Sequence, residues 1–340
     1  MIASYLNQNN PLSRGAFFLR VGLKFSVLKQ KVFIEKTEIA MCKLQIVIPD
    51  GSMQEKVEKL FVKAGLPIRL ESERKMEGTV GVDWVERVVY QRPQEIPIYL
   101  ANNHFDVGIV GEDWIANWGL QGRFVLKGKL PIGRGGNNPV RIVLAVAETS
   151  KVTRPESLPR GCEVATEYVE LTRAFFERKG RGDIKVTRSW GKTEQKIAFG
   201  ATGIVDVTES GRSLTANKLK IICDIIKPSN TVIVANLGSY ADKVKRSYID
   251  CFARLILGAY QASLYVSLTA NVPNEKLKDA SWLMGGLKGP SCSPLVGKGS
   301  GWFALQSLVP SEKAQQTIFA LLQIGVTDII VNRDIPLIMS

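Results

Sequence analysis

The sequence lacks any apolar run near the roughly 18 residues that a membrane-spanning helix needs, so a membrane partner is not expected. It also lacks paired cysteines. Cys42, Cys162, Cys223, Cys251 and Cys292 are scattered, odd in number and never in a CxxC arrangement, which excludes a disulfide framework and a structural zinc site. A reducing, cytoplasmic setting is the expectation. Histidine is nearly absent: the one present, His104, lies in "NNHFDVG" and reads as a surface residue at a helix end, not as a catalyst.

Acidic residues are in short supply as well. Against 45 Lys and Arg there are 32 Asp and Glu, and the resulting charge of +13 describes a surface that attracts anions: nucleic acid, anionic membrane or small polyphosphates. Nothing has helix-turn-helix or zinc-finger spacing or interleaves basic and aromatic residues, so nucleic acid is not expected. The first forty residues are basic and acid-poor, yet carry no small-residue cleavage site after a long apolar core. They read as a leader over 1–40, an upstream start extension.

What the chain does have is enough apolar residue, 45%, for a large interior spread over two or three domains. From Lys43 strands alternate with helices. "KLQIVIPDG" is an apolar, β-branched run ending in a turn, and "SMQEKVEKLFVKAG" follows with Met53, Val57, Leu60 and Phe61 at helical spacing, stopped by Gly65. Strands are expected at "WVERVVYQR", "FDVGIVGEDWI", "VRIVLAVAE", "CEVAT", "DIKVTRSW" and "GIVDVTE", with helices at "PQEIPIYLANN", "LTRAFFERKG", "EQKIAFGA" and from Leu214. This alternation implies largely parallel sheets in an α/β fold. Beyond residue 242 a helix over 243–262, then strands and helices in βαββαβ-like order, imply a small ferredoxin-like α+β sandwich.

The stretch richest in chemistry is "GIVDVTESGRSLTANKL", residues 203–219. A strand ends at Asp206, a loop holds Thr208, Glu209, Ser210, Gly211, Arg212 and Ser213, and a helix begins at Leu214. Gly211 lets backbone N–H groups approach an anion, the helix start adds partial positive charge, and Ser210 and Ser213 add hydroxyl donors. Asp206 suits a ribose diol, because a carboxylate accepts hydrogen bonds from hydroxyls and repels phosphate. A plain strand-turn-helix connection with Ser213 as its N-cap remains the alternative reading of these residues.

"VDVTESGRSLTANKL" resembles the phosphoribosyl pyrophosphate (PRPP) loop of ATP phosphoribosyltransferases, with Ser213 in place of the more frequent threonine. "IVIPDGSMQEKVEKLFVKAG", "RPQEIPIYLANNHFDVGIVGEDWI", "VATEYVELTRAFFE" and "SWGKTEQKIAFGATGIVDV" are similar to other segments of that family in the same order, and "NVPNEKL" with "GGLKGPSCSPL" resembles the regulatory domain of its long form. The likeness runs from about residue 43 to 335. It implies two hinged α/β domains of periplasmic-binding-protein-like type, domain I over 41–146 plus 223–241 and domain II over 147–222, followed by a regulatory ferredoxin-like (ACT/PII-like) domain over 242–340.

The implied activity joins the phosphoribosyl group of PRPP to N1 of ATP and releases pyrophosphate, at the head of histidine biosynthesis, with Mg²⁺, as a homo-oligomer (a hexamer or dimers), under inhibition by histidine. Asp206 and Glu209 are the implied catalytic carboxylates, and Thr208, Ser210, Gly211, Arg212, Ser213 and Leu214 the PRPP cradle. Gly51, Ser52, Gly108, Gly111, Thr166, Tyr168 and Arg173 are the expected ATP contacts, and Leu287, Pro290 and Ser291 the effector site. No residue is assigned to the metal. Phe175 and Phe176 read as core, and Trp190, Thr193 and Glu194 mark a helix start. Relatives often carry lysine where Asp50 stands, so one cationic contact to a phosphate is either absent or supplied from elsewhere; Arg134 is a candidate, or else a solvated loop arginine. A non-catalytic sensor or solute-binding protein of the same hinged fold is the competing reading, and a prephenate-dehydratase-like enzyme a further one to which a PRPP loop is useless.

Overall fold

The structure, a computed structural model, describes residues 42–72, 75–133, 139–296 and 301–333; the leader and Arg134 lie outside them. The apolar run after Lys43 forms β1 (Leu44–Pro49), buried at nearly every position. A 3-10 turn over Gly51–Met53 leads into α1 (Gln54–Lys63), whose Val57, Leu60 and Phe61 face the core as their spacing requires. Then come β2 (Arg69–Leu70), β3 (Glu77–Thr79), β4 (Val85–Gln91), α2 (Ile96–Ala101), β5 (Val107–Gly111), α3 (Glu112–Asn117) and β6 (Phe124–Leu130).

The chain next enters a second sheet with β7 (Val140–Ala147), β8 (Glu163–Thr166), α4 (Val169–Arg178), β9 (Lys185–Arg188), β10 (Gly203–Thr208), α5 (Arg212–Ala216) and β11 (Leu219–Ser229). β12 (Thr231–Asn236) returns to the first sheet, and α6 (Leu237–Ala241) and α7 (Lys243–Ala262) follow. The first sheet has the order β2-β3-β4-β1-β5-β12-β6 and the second β11-β7-β10-β8-β9. β4, β1 and β5 are parallel, as are β9, β8 and β10, so each sheet has a parallel centre. The strands next to the crossings, β6, β12, β7 and β11, pair antiparallel, which corrects the expectation of largely parallel sheets.

The domain limits also shift. β7 and β11 both belong to the second sheet, so domain II spans roughly 140–229, where the sequence suggested 147–222. Helix α7 is not part of the third domain: Ile249, Phe252, Ala253, Ile256 and Ala259 pack into the first sheet's core, with Phe252 ring to ring against Phe61 at 5.6 Å. Lys245 pairs with the buried Asp106 at 2.7 Å, and that carboxylate also accepts from Ser239 and the Gln45 backbone N–H. The expected helix "EQKIAFGA" is instead a 3-10 segment over Thr193–Phe199, bounded by left-handed Lys192 and Gly200.

The third domain holds β13 (Tyr265–Pro273), α8 (Leu277–Met284), β14 (Ser291–Pro294), β15 (Trp302–Pro310), α9 (Ala314–Gln323) and β16 (Thr327–Asn332). Its antiparallel sheet runs β14-β15-β13-β16, the ferredoxin-like arrangement. β14 completes it from a segment expected to bind an effector.

A single apolar core joins the two α/β domains on one side. Val110 and Trp114 of the first pack with Tyr168, Leu171, Phe175 and Phe176 of the second.

Candidate active site

In both α/β domains the parallel strands deliver their carboxyl ends to one edge, where ligands bind in open sheets of this kind. From the first domain that edge carries Pro49 to Ser52 after β1, Arg92 after β4, and Gly111 to Asp113 after β5. From the second it carries Thr166 to Tyr168, Ser189 to Thr193, and the loop from Thr208 to Ser213.

That last loop has the features required of a sugar-phosphate cradle. Asp206, half-buried on β10, turns one carboxylate oxygen to the Val207 N–H at 2.7 Å. Thr208 is buried and its hydroxyl accepts from the Gly211 N–H at 2.8 Å, which ties the loop's far end to its near end. Gly211 closes the turn at φ +80°, ψ −6°, a left-handed conformation that an L-residue adopts only at a cost. Leu214 is buried at 2% exposure and anchors α5, while Ser210, Arg212 and Ser213 are exposed and Glu209 is half-buried. Leu214 therefore holds the loop from below and does not itself face a ligand.

The proposed ATP residues divide. Gly51, at φ +65°, and the exposed Ser52 follow β1 at the open edge. Gly108 does not: it lies mid-strand, paired on both sides, and a Cβ there would stand 2.7 Å from Val47 Cγ1. Its missing side chain serves packing. Gly111 lines the cleft, and a Cβ on it would strike the Asp113 carboxylate at 2.1 Å. Thr166 is fully buried, its hydroxyl accepting from the Tyr168 N–H at 2.9 Å. Tyr168 is 1% exposed, stacked on Trp114 at 4.3 Å with its hydroxyl donating to Asp113 Oδ2 at 2.6 Å. Arg173 pairs on the helix surface with Glu170 at 3.1 Å. Thr166 and Tyr168 are thus engaged within the protein and present no group to ATP, whereas Arg173 stays on the exposed surface.

Sequence reasoning missed the group at the crossing between sheets. Ser229 Oγ donates to Asp113 Oδ1 at 3.2 Å and accepts from the Asp113 N–H at 3.1 Å. Next to it, Glu112 Oε2 accepts from the backbone and side-chain N–H groups of Asn230 at 2.9 and 2.8 Å, and Oε1 pairs with Lys129 at 2.9 Å. Burial pushes the Glu112 carboxyl up, but the Asn230 hydrogen bonds and the Lys129 cation outweigh it and hold the group below its ordinary value. The Tyr168 hydrogen bond to a carboxylate is worth about 1.5–3 kcal/mol and the stacked ring pair about 0.5–1.5 kcal/mol. The run "GED" before a helix and "SNT" between two apolar strands were the available signals.

A cavity of about 50 Å³ lies between the sheets, lined among others by Pro49, Gly111, Val140, Val207 and Asn230. It has room for only a few waters, so it is the floor of a cleft whose mouth widens above it. At that mouth Arg92 stands 3.4 Å from Asp50 Oδ2, a cation that sequence reasoning did not nominate, whereas the nominated Arg134 is outside the described residues. Asp50 Oδ1 is buried without a hydrogen-bond partner.

His104 is exposed, and Phe175 and Phe176 are core, as read from the sequence. Among the described residues no cluster of three or more His, Cys, Asp or Glu is placed to hold a metal, and no helix is long and apolar enough to cross a membrane. In the third domain a cavity of about 340 Å³ is lined by Leu287 with Met284, Gly286, Pro310, Lys313 and Thr317. Of the three expected effector residues only Leu287 lines it; Ser291 begins the exposed edge strand β14, with Pro290 just before it.

The family model described as ATP phosphoribosyltransferase matches residues 92–257, and that of its C-terminal domain matches 262–333, starting where α7 ends. An ATP phosphoribosyltransferase of Nitratidesulfovibrio vulgaris is 36% identical over 288 residues, covering 84% of this chain and 95% of the relative. One from Koribacter versatilis is 37% identical over 281 residues, covering 83% and 94%. Among solved structures, a chain of the ATP phosphoribosyl transferase (HisG:HisZ) complex from Thermotoga maritima superposes with a TM-score of 0.54 at 27% identity, over 64% of this chain and 98% of that one.

Proposed function

The chain belongs to the ATP phosphoribosyltransferase family, in the long form with a C-terminal domain, and from that premise we propose which of its residues perform the phosphoribosyl transfer of histidine biosynthesis. The reaction joins N1 of the adenine of ATP to C1 of PRPP and expels pyrophosphate. The ribose carries positive charge as the leaving group departs, so the protein has to align two polyanions and stabilise developing charge; no strong base is required.

Ser210, Gly211, Arg212 and Ser213 cradle the 5-phosphate, and Asp206 accepts from the ribose diol. The observation that carries this assignment is the Thr208–Gly211 tie, which holds the turn open as a cup with its serines exposed. Glu209 flanks the same loop. ATP lies across the cleft on the Gly51–Ser52 turn and the Gly111 edge, with Arg92 supplying the phosphate cation.

Enzymes of this class use a divalent metal, and Mg²⁺ fits the donors present. It keeps most of its waters and binds through substrate phosphates with one or two carboxylates, which Asp206 and Glu209 offer here without a protein cage. Held by Asp206 and Glu209, it would supply charge neutralisation for the leaving pyrophosphate. The 340 Å³ cavity beside Leu287 is the proposed histidine site, and the third domain the proposed site of self-association.

The deciding experiment measures pyrophosphate release from ATP, PRPP and Mg²⁺ by wild type and Asp206→Asn, with and without histidine. Asp206→Asn is expected to raise the KM for PRPP about tenfold or more and to leave that for ATP nearly unchanged. Equal effects on both substrates would remove Asp206 from the ribose, and an absence of inhibition by histidine would remove the effector assignment.

A further inference from the structure

The two substrates are held by different domains, so the transfer depends on how one domain is set against the other. One buried polar group bridges them. Asp113, 5% exposed at the start of α3, accepts from Tyr168 of domain II at 2.6 Å and from Ser229 at the crossing strand at 3.2 Å. Tyr168 is itself stacked on Trp114, and the neighbouring Leu171 N–H donates to Asn117 Oδ1 at 3.2 Å. The side chains of Asp113, Trp114, Asn117, Tyr168 and Ser229 are all nearly or fully buried. A carboxylate is costly to bury, and an apolar contact would join the domains without it. What the carboxylate adds is direction: its two oxygens fix Tyr168 on one side and the crossing strand on the other, whereas apolar packing alone permits rotation. Gly111 is part of the same arrangement, since only the absence of a Cβ leaves room for Asp113 Oδ1.

We propose that Asp113, Tyr168 and Ser229 are positioning residues for the transfer, a buried pin that sets the angle between the PRPP-bearing and ATP-bearing domains and so aligns N1 of ATP with C1 of PRPP. The proposal rests on the assignment of PRPP to the Asp206–Ser213 loop. Asp113 and Ser229 line the floor of the cleft and Tyr168 lies behind it, so in this proposal each acts through the domain it holds.

The test is Tyr168→Phe, which keeps the ring on Trp114 and removes only the hydroxyl. The single-turnover rate of pyrophosphate release is expected to fall about tenfold or more, because displacing reacting atoms by a fraction of an ångström is that costly, while the Kd of PRPP alone stays within about twofold. Ser229→Ala frees the other oxygen and is expected to lower the same rate. The double variant is expected to lose less than the product of the two, since both act through one carboxylate. A rate within about twofold of wild type in a folded Tyr168→Phe enzyme overturns the proposal, as does a PRPP Kd that weakens in step with the rate. Should Tyr168→Phe not fold, Ser229→Ala at the less crowded end is judged by the same two thresholds. The loop assignment fails separately, by Asp206→Asn binding PRPP like wild type, and that result leaves the Tyr168 comparison readable.

Discussion

Replacing Gly211 with alanine isolates the geometry of the phosphate loop from its chemistry. At φ +80° and ψ −6° an alanine is strained by about 1–2 kcal/mol, and its Cβ would meet only Ile221 Cδ1, at an ordinary 3.4 Å. The whole penalty is therefore in the backbone. The loop escapes it by turning the 211 peptide, which breaks the 2.8 Å hydrogen bond from the Gly211 N–H to Thr208 and points the following N–H groups away from the anion. If the lost cradle weakens PRPP by as much as the strain it relieves, the KM for PRPP rises about five- to thirtyfold. The KM for ATP, bound across the cleft, stays within about twofold of wild type. Gly211→Asn is expected to recover part of the loss, because asparagine tolerates the left-handed region. Initial rates with each substrate varied, beside a thermal melt, separate the outcomes. An unchanged KM for PRPP with a melting temperature lowered by a few degrees would refute the reasoning, since the turn would then matter to folding and not to phosphate.

Two further perturbations probe the cleft mouth and the crossing. Asp50→Ala removes the carboxylate beside Arg92 and is expected to lower the KM for ATP severalfold, while Arg92→Ala raises it; steady-state kinetics at two salt concentrations check this, because an unpaired cation makes ATP affinity more salt-dependent. Glu112 has a folded-state pKa below its ordinary 4.5, so its contribution to stability is fully present above that value and is lost as pH falls through the folded pKa. Glu112→Gln is expected to lower the melting temperature at neutral pH and to flatten its decline below about pH 4.5; parallel acid limbs for the two proteins would show that the hinge pairing contributes nothing.

Much of this architecture is legible in the sequence because the parallel strands end in turns with strong local signals: Pro-Asp-Gly after β1, Gly-Glu-Asp after β5, Glu-Ser-Gly after β10. The crossing between sheets is not, since residues 219–236 read as two apolar strands around Ser229–Thr231, a pattern that is the same whether they feed one sheet or two. The switch at Ser229–Thr231 is decided by partners more than a hundred residues away, at Glu112 and Asp113. The same non-locality misplaced Tyr168. The resemblance to the family implies a ligand contact at Tyr168, and only the arrival of Trp114 and Asp113 buries it. Gly108 misled for another reason: a glycine needed for a ligand's approach and one needed for a valine's approach look identical in one sequence. α7 was assigned to the following domain because it is contiguous with it, whereas its apolar stripe faces backward onto α1.

The shared core also bounds how the two domains move. Trp114 and Tyr168 each bury on the order of 150–250 Å², and if half of that faces the opposite domain, separating them exposes about 150–250 Å² together. At about 25 cal/mol per Å² this costs about 4–6 kcal/mol, an upper figure to which breaking the Tyr168 hydrogen bond adds. An open state disfavoured by that much is populated at well under 1%, too little to serve as the resting form that admits substrates. The α3–α4 side is therefore expected to stay closed, with the angle between the domains held at that contact. A small error at that contact becomes a larger one at the reacting atoms, which is why removing the buried Tyr168 hydroxyl is expected to slow their combination.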